Sequence, residues 1–213
     1  MGLVPAATND LFDDEGLAGR DIGIALIARA GRRVLLEAGI YNGEGESAPR
    51  DVNDAKTIAG RLGVTPAGRL TIGVSAISHE GLPDSLGPTV RHAGWGVDLG
   101  WSEPGQPGLF ALAELMSAES FEASPRRIRG GLLVAAWNIP VERRAIHSVE
   151  PVARLDMADP DDAAADDETT LLSAGVGLYF TPTAQFRLLA ERQGFADGRE
   201  PVAGIRSALT VSF

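Results

Sequence analysis

The stretch Ile205-Arg-Ser-Ala-Leu-Thr-Val-Ser-Phe213 decides the fold class. Ile205, Ser207, Leu209, Val211 and Phe213 fall on one parity, and Arg206, Ala208, Thr210 and Ser212 on the other. A strand points successive side chains to opposite faces, so this stretch has one mainly apolar face and one polar face. The same alternation recurs along the chain. It predicts about eleven strands, over 21–30, 34–42, 56–66, 69–78, 94–102, 109–117, 128–140, 147–157, 169–182, 186–193 and 205–213. No segment keeps a helical period over a full helix length, so the expected class is all-β. The 26 Gly and 13 Pro punctuate the chain as many short strands require.

The expected connections alternate in length. Short ones fall at 31–33, 67–68, 103–108, 141–146 and 183–185, and long ones at 43–55, 79–93, 118–127, 158–168 and 194–204. An antiparallel up-and-down transmembrane β-barrel of the bacterial outer membrane has this pattern, with short periplasmic turns and longer outer loops. Such barrels close on a C-terminal strand ending in an aromatic, as this chain does at Phe213. On this reading Arg32 and Arg33 sit at a periplasmic turn. Trp101, Phe110, Trp137, Phe180, Phe186 and Phe213 fall at short-turn strand ends and are candidate membrane-interface aromatics. Tyr41, Trp95, Phe121 and Phe195 fall at or near the opposite ends. The competing reading is that aromatics favour strands in any β protein.

One parity of most strands is apolar, as in Ile22, Ile24 and Leu26, or Trp95, Val97, Leu99 and Trp101. The other carries Arg29, Glu37, Arg61, Asp98, Glu150, Arg154, Asp156, Arg187, Glu191 and Arg206. A basic group in mid-strand on a lipid face costs about 2–4 kcal/mol, so these charges must face water. They are the pore-lining candidates of a polar lumen. A soluble sandwich would invert the faces, and alternation alone does not separate the two.

Composition narrows the function classes. A net charge of -10 argues against nucleic acid as a partner. Cysteine is absent, which excludes disulfides, thiolate metal sites and thiol catalysis. No run of 18 apolar residues exists, so no transmembrane helix is expected. Lys56 is the sole lysine, and no secretory signal opens the sequence. Residues 1–20 read as an N-terminal loop or remnant of upstream barrel, and 21–213 as barrel wall. An odd strand number does not suit a bacterial single-chain barrel, whose count is even. The stretch then belongs to a longer barrel, or Gly2 to Ala7 supply one more strand.

Catalytic patterns are weak. His79, Asp84, Ser85 and His92 share one expected outer loop, but no strand–turn–helix elbow surrounds Ser85. A loop is also a poor support for a triad. Asp159, Asp161, Asp162, Asp166, Asp167 and Glu168 form an acidic loop without the spacing of a calcium loop, so a solvated loop is expected. Gly94, Gly96 and Gly100 lie within a strand pattern and imply close packing or a bend, not a dinucleotide site. No catalytic residues, metal or cofactor are expected.

Several segments resemble the phosphate-selective porin O and P family. They are Gly-Arg-Asp-Ile-Gly at 19–23, Ala-Gly-Ile-Tyr-Asn-Gly-Glu-Gly at 38–45, and Asn53-Asp54-Ala55-Lys56 leading to Ala-Gly-Arg-Leu at 59–62. Glu150-Pro-Val-Ala-Arg-Leu-Asp156, Gly-Val-Gly-Leu-Tyr-Phe at 175–180 and the final strand continue the resemblance to the C-terminus. It implies the C-terminal portion of a sixteen-stranded porin barrel, here lacking about five strands, in the bacterial outer membrane. It also implies a homotrimer, contacts with outer-membrane lipid and lipopolysaccharide, and assembly through the C-terminal strand by the barrel-assembly machinery. The activity implied is passive diffusion of small hydrophilic solutes or anions, with phosphate a candidate. The sequence departs from the family in lacking a ladder of arginines and lysines, which puts phosphate selectivity in doubt. Arg29, Arg61, Arg154, Arg187 and Arg206 are read equally well as structural charges paired with Glu37, Asp156 or Glu191. The alternative to a porin is a soluble or adhesive β-sandwich binding domain. A barrel-rim hydrolase would depend on His79 or Ser85.

Overall fold

The computed structural model describes residues 22–42, 56–80, 91–120, 126–143, 145–181 and 183–211. Among them there is no helix, and eleven strands form one antiparallel sheet. The strands are β1 (Gly23–Ala30), β2 (Val34–Tyr41), β3 (Thr57–Ala67), β4 (Leu70–Glu80), β5 (Arg91–Trp101), β6 (Gly108–Glu119), β7 (Arg127–Arg143), β8 (Ile146–Asp159), β9 (Thr169–Thr181), β10 (Ala184–Phe195) and β11 (Val202–Val211). Their order in the sheet is their order in the chain, an up-and-down meander. β1 pairs with β2 and β11 with β10, and no contact joins β1 to β11 among the described residues.

Every expected strand forms, and several run longer than the alternation suggests. β4 and β5 extend so that His79 pairs directly with His92. These two histidines, expected in a loop, are therefore strand residues. The reason is the ladder itself: each backbone N–H and C=O of one strand asks for a partner on the next, even where side-chain alternation fades. β7 runs past Pro140, and the register with β8 shifts between Pro140 and Arg143. A residue without an N–H interrupts a ladder in this way.

One side of the sheet has the connections 31–33, 68–69, 102–107, 144–145 and 182–183. The other has 42–56, 81–90, 120–126, 160–168 and 196–201. The contrast weakens as the strands lengthen, and 196–201 is no longer than 102–107. The tight turns at 31–33 and 68–69 contain Gly31 at φ 61° and Gly68 at φ 48°, a left-handed backbone that glycine adopts without a Cβ clash. Phe213 and Phe121 lie outside the described residues.

The sheet has no conventional core. Buried residues include Glu150, Asp156, Arg187, His79 and His92, while large apolar side chains such as Ile24, Leu26, Ile205 and Leu209 are more than half exposed. The one cluster of buried apolar residues among those described is Ala118 with Ile128, against which Met116 packs.

Candidate functional site

Directly paired residues in an antiparallel sheet share a face, so the register assigns every strand residue to one of two faces. Glu37 pairs with Arg61, and Arg61 with Ser75. Two residues before Ser75, Gly73 pairs with Asp98, and the row continues through Glu114 and Leu132 to Asp156. Arg154 pairs with Ser173, Ser173 with Glu191, and Arg206 with Leu189. Glu150 and Arg187 both pair with Gly177, and Arg29 pairs with Leu35. All ten charged residues singled out from the sequence thus lie on one face. Glu114, His79 and His92 join them there.

The opposite face is apolar. Leu26, Leu36, Leu62, Val74, Val97, Leu115, Leu133, Leu172, Leu188 and Leu209 run across it from β1 to β11, all exposed. Its charges lie toward strand ends, for example Arg91, Arg127, Arg129 and Arg192. Trp101, Trp137, Phe180 and Phe186 lie on this apolar face. Phe110 does not: it pairs with Ala136 on the charged face, so its place at a short-turn end does not make it part of an apolar belt.

On the charged face, side chains meet over intervening strands. The Arg61 guanidinium on β3 grips Asp98 on β5 with both Nη atoms, Nη2 donating to Oδ2 at 2.9 Å. The pair passes over Gly73 on β4, where a Cβ would run into both side chains. Arg187 Nη2 on β10 reaches Glu150 Oε1 on β8 at 3.3 Å, over Gly177. Tyr179 donates its hydroxyl to the same oxygen at 3.1 Å. Arg154 Nη2 donates to Asp156 Oδ1 at 3.1 Å, with Nε 2.7 Å from Oδ2 but off the line of the N–H. Arg206 Nε donates to Glu191 Oε2 at 2.9 Å. Of the pairings expected for structural charges, Arg154 meets Asp156 and Arg206 meets Glu191. Arg61, however, pairs with Asp98 and not with Glu37.

At the long-connection end, His79 and His92 have ring centroids 5.6 Å apart. His79 Nε2 lies 3.0 Å from the Glu119 carbonyl, and His92 Nδ1 lies 3.5 Å from the Glu119 carboxylate. In the acidic connection after β8, Arg129 binds Asp162 at 2.6 Å. In the connection after β10, the backbone N–H of Arg199, 3.0 Å away, and its guanidinium hold the Asp197 carboxyl below the ordinary carboxylate range.

Glu114 was legible by the parity that marks Asp98, but both parities of 109–116 are otherwise apolar, which hides a single carboxylate. Comparison with protein-family models and with curated proteins returned no match.

Proposed function

We propose that this chain forms wall of a water-filled outer-membrane β-barrel channel through which small hydrophilic solutes diffuse passively. One observation carries the reading: the same strands present an apolar face whose charges lie toward strand ends and, on the other side, rows of paired charges. In water, each large side chain left on the apolar face forgoes about 1.5–3 kcal/mol of burial. Lipid removes that cost. On β7 the apolar face is uncharged from Gly131 to Val141. That stretch measures roughly 33 Å at about 3.3 Å per residue. Tilted by about 40°, it rises about 25 Å, the height of the apolar band of outer-membrane barrels. Arg127 and Arg129, on the same face of β7, stand beyond that stretch.

An odd strand number makes β1 and β11 run in the same direction. Antiparallel closure then needs further strands, and lipid tolerates no unpaired sheet edge. The proposal accordingly includes strands beyond these eleven, as in the sixteen-stranded, trimeric phosphate-selective porin O and P family that the sequence resembles. Outer-membrane lipid, lipopolysaccharide and the barrel-assembly machinery are the partners this implies. Phosphate selectivity is not part of it: Arg61, Arg154, Arg187 and Arg206 on the charged face are each matched by a carboxylate and do not form a basic ladder.

Heat-modifiable gel mobility in detergent, with conductance steps in planar bilayers, is the expected result for the protein purified from membranes. The unclosed sheet favours a second reading, a sandwich in which another sheet covers the apolar face. Silence in bilayers from a protein that stays monodisperse without detergent would select that reading and sink the channel.

A further inference from the structure

The part of the charged face carried by β2 to β6 contains a hollow of about 310 Å³. Glu37, Tyr41, Arg61, Ser75, Glu114 and Met116 line it. Its charge balance is unusual. Glu37 lies directly opposite Arg61 in register, yet Arg61 turns away across Gly73 to engage Asp98 with both Nη atoms. That pair is neutral. Glu37 and Glu114 remain, and neither makes an ion pair or hydrogen bond among the described residues. A carboxylate in a partly desolvated wall gains from any cation that completes it.

We infer that this hollow binds organic diamines, one ammonium at Glu37 on its β2 side, the other at Glu114 on its β6 side, and the alkyl chain against Met116. This names a solute class for the channel proposed above. Its consequence for conduction, a preference for cations over anions, rests on that reading. Gly73 is the positioning residue, since a side chain there would displace Arg61 from Asp98 and return its charge to Glu37.

The test is calorimetric titration of putrescine into the protein purified in detergent from membranes, beside reversal potentials in a KCl gradient. Wild type should bind putrescine and favour potassium. Replacing Glu37→Gln and Glu114→Gln together should weaken binding about tenfold, taking about threefold per charge acting across about 6 Å of water. Gly73→Ala, which removes no charge, should weaken it about threefold by the same measure. Wild type that does not bind putrescine, or a double variant that binds it equally well, would overturn the inference. Conducting channels that favour chloride would overturn the cation preference and leave the channel standing. Bilayer silence with intact putrescine binding would sink the channel and leave the site.

Discussion

The two ends of the charged face use the same residue types in opposite ways. On β8 to β11, Glu150, Asp156 and Glu191 each meet an arginine on the same face. Glu150 and Asp156 are almost inaccessible, and Glu150 accepts from Tyr179 as well. On β2 to β6 one arginine serves one of three carboxylates, and Glu37 and Glu114 are left beside a hollow. A carboxylate closed off by its own arginine braces the wall and has nothing left for a solute. A carboxylate whose facing arginine is diverted to another strand keeps its charge for whatever passes. The placement of arginines, more than the number of charges, divides a braced part of the wall from a binding part.

The largest effect should come from breaking the braced end. Glu150→Ala leaves the Arg187 guanidinium and the Tyr179 hydroxyl without their shared acceptor in a buried place. Removing one partner of a buried pair costs about 3–5 kcal/mol. Glu37→Ala removes a carboxylate that holds nothing, and should stay within about 0.5 kcal/mol. Urea unfolding of the two variants in the same detergent measures the contrast. Equal losses would mean that the two ends are not differently built.

A second substitution sharpens the comparison by moving a charge to the other face. Ala135 stands exposed on the apolar side in the middle of β7, paired with Ala153. Ala135→Arg should cost about 2–4 kcal/mol in lipid, as a basic group at mid-depth does. Measured by refolding into vesicles, a cost near zero would remove the main support for lipid against this face.

Much of this was legible in the sequence. Alternation alone put all ten charges on one face, because parity survives any error in strand ends of an even number of residues. Register is a different matter. Nothing local tells Arg61 that its partner is Asp98, 37 positions on, and not Glu37 on the adjacent strand. That choice depends on a glycine between them. His79 and His92 were misplaced for a related reason. The stretch Ser78-His79-Glu80 is polar on both parities, so its pairing is visible only from β5. Phe110 shows the limit of reading position without face: it stands at the expected end of its strand and on the unexpected side.

The smallest effect on stability should be the most informative about the two ends, because both contain an ion pair that passes over a glycine. A Cβ at Gly177 would lie 3.6 Å from the Glu150 Cβ, an ordinary contact, so Gly177→Ala leaves the Glu150–Arg187 pair in place. A Cβ at Gly73 would run into the charged tips of Arg61 and Asp98. Those tips are the flexible ends of their side chains and can swing aside, so the energetic cost is small while the pairing changes. Both variants should unfold within about 0.5 kcal/mol of wild type. They should differ in putrescine affinity, with Gly177→Ala unchanged and Gly73→Ala about threefold weaker as Arg61 is returned to Glu37. If the two glycine variants bound putrescine equally well, the diversion of Arg61 would carry no consequence for the solute, and the division into braced and binding ends would rest on stability alone.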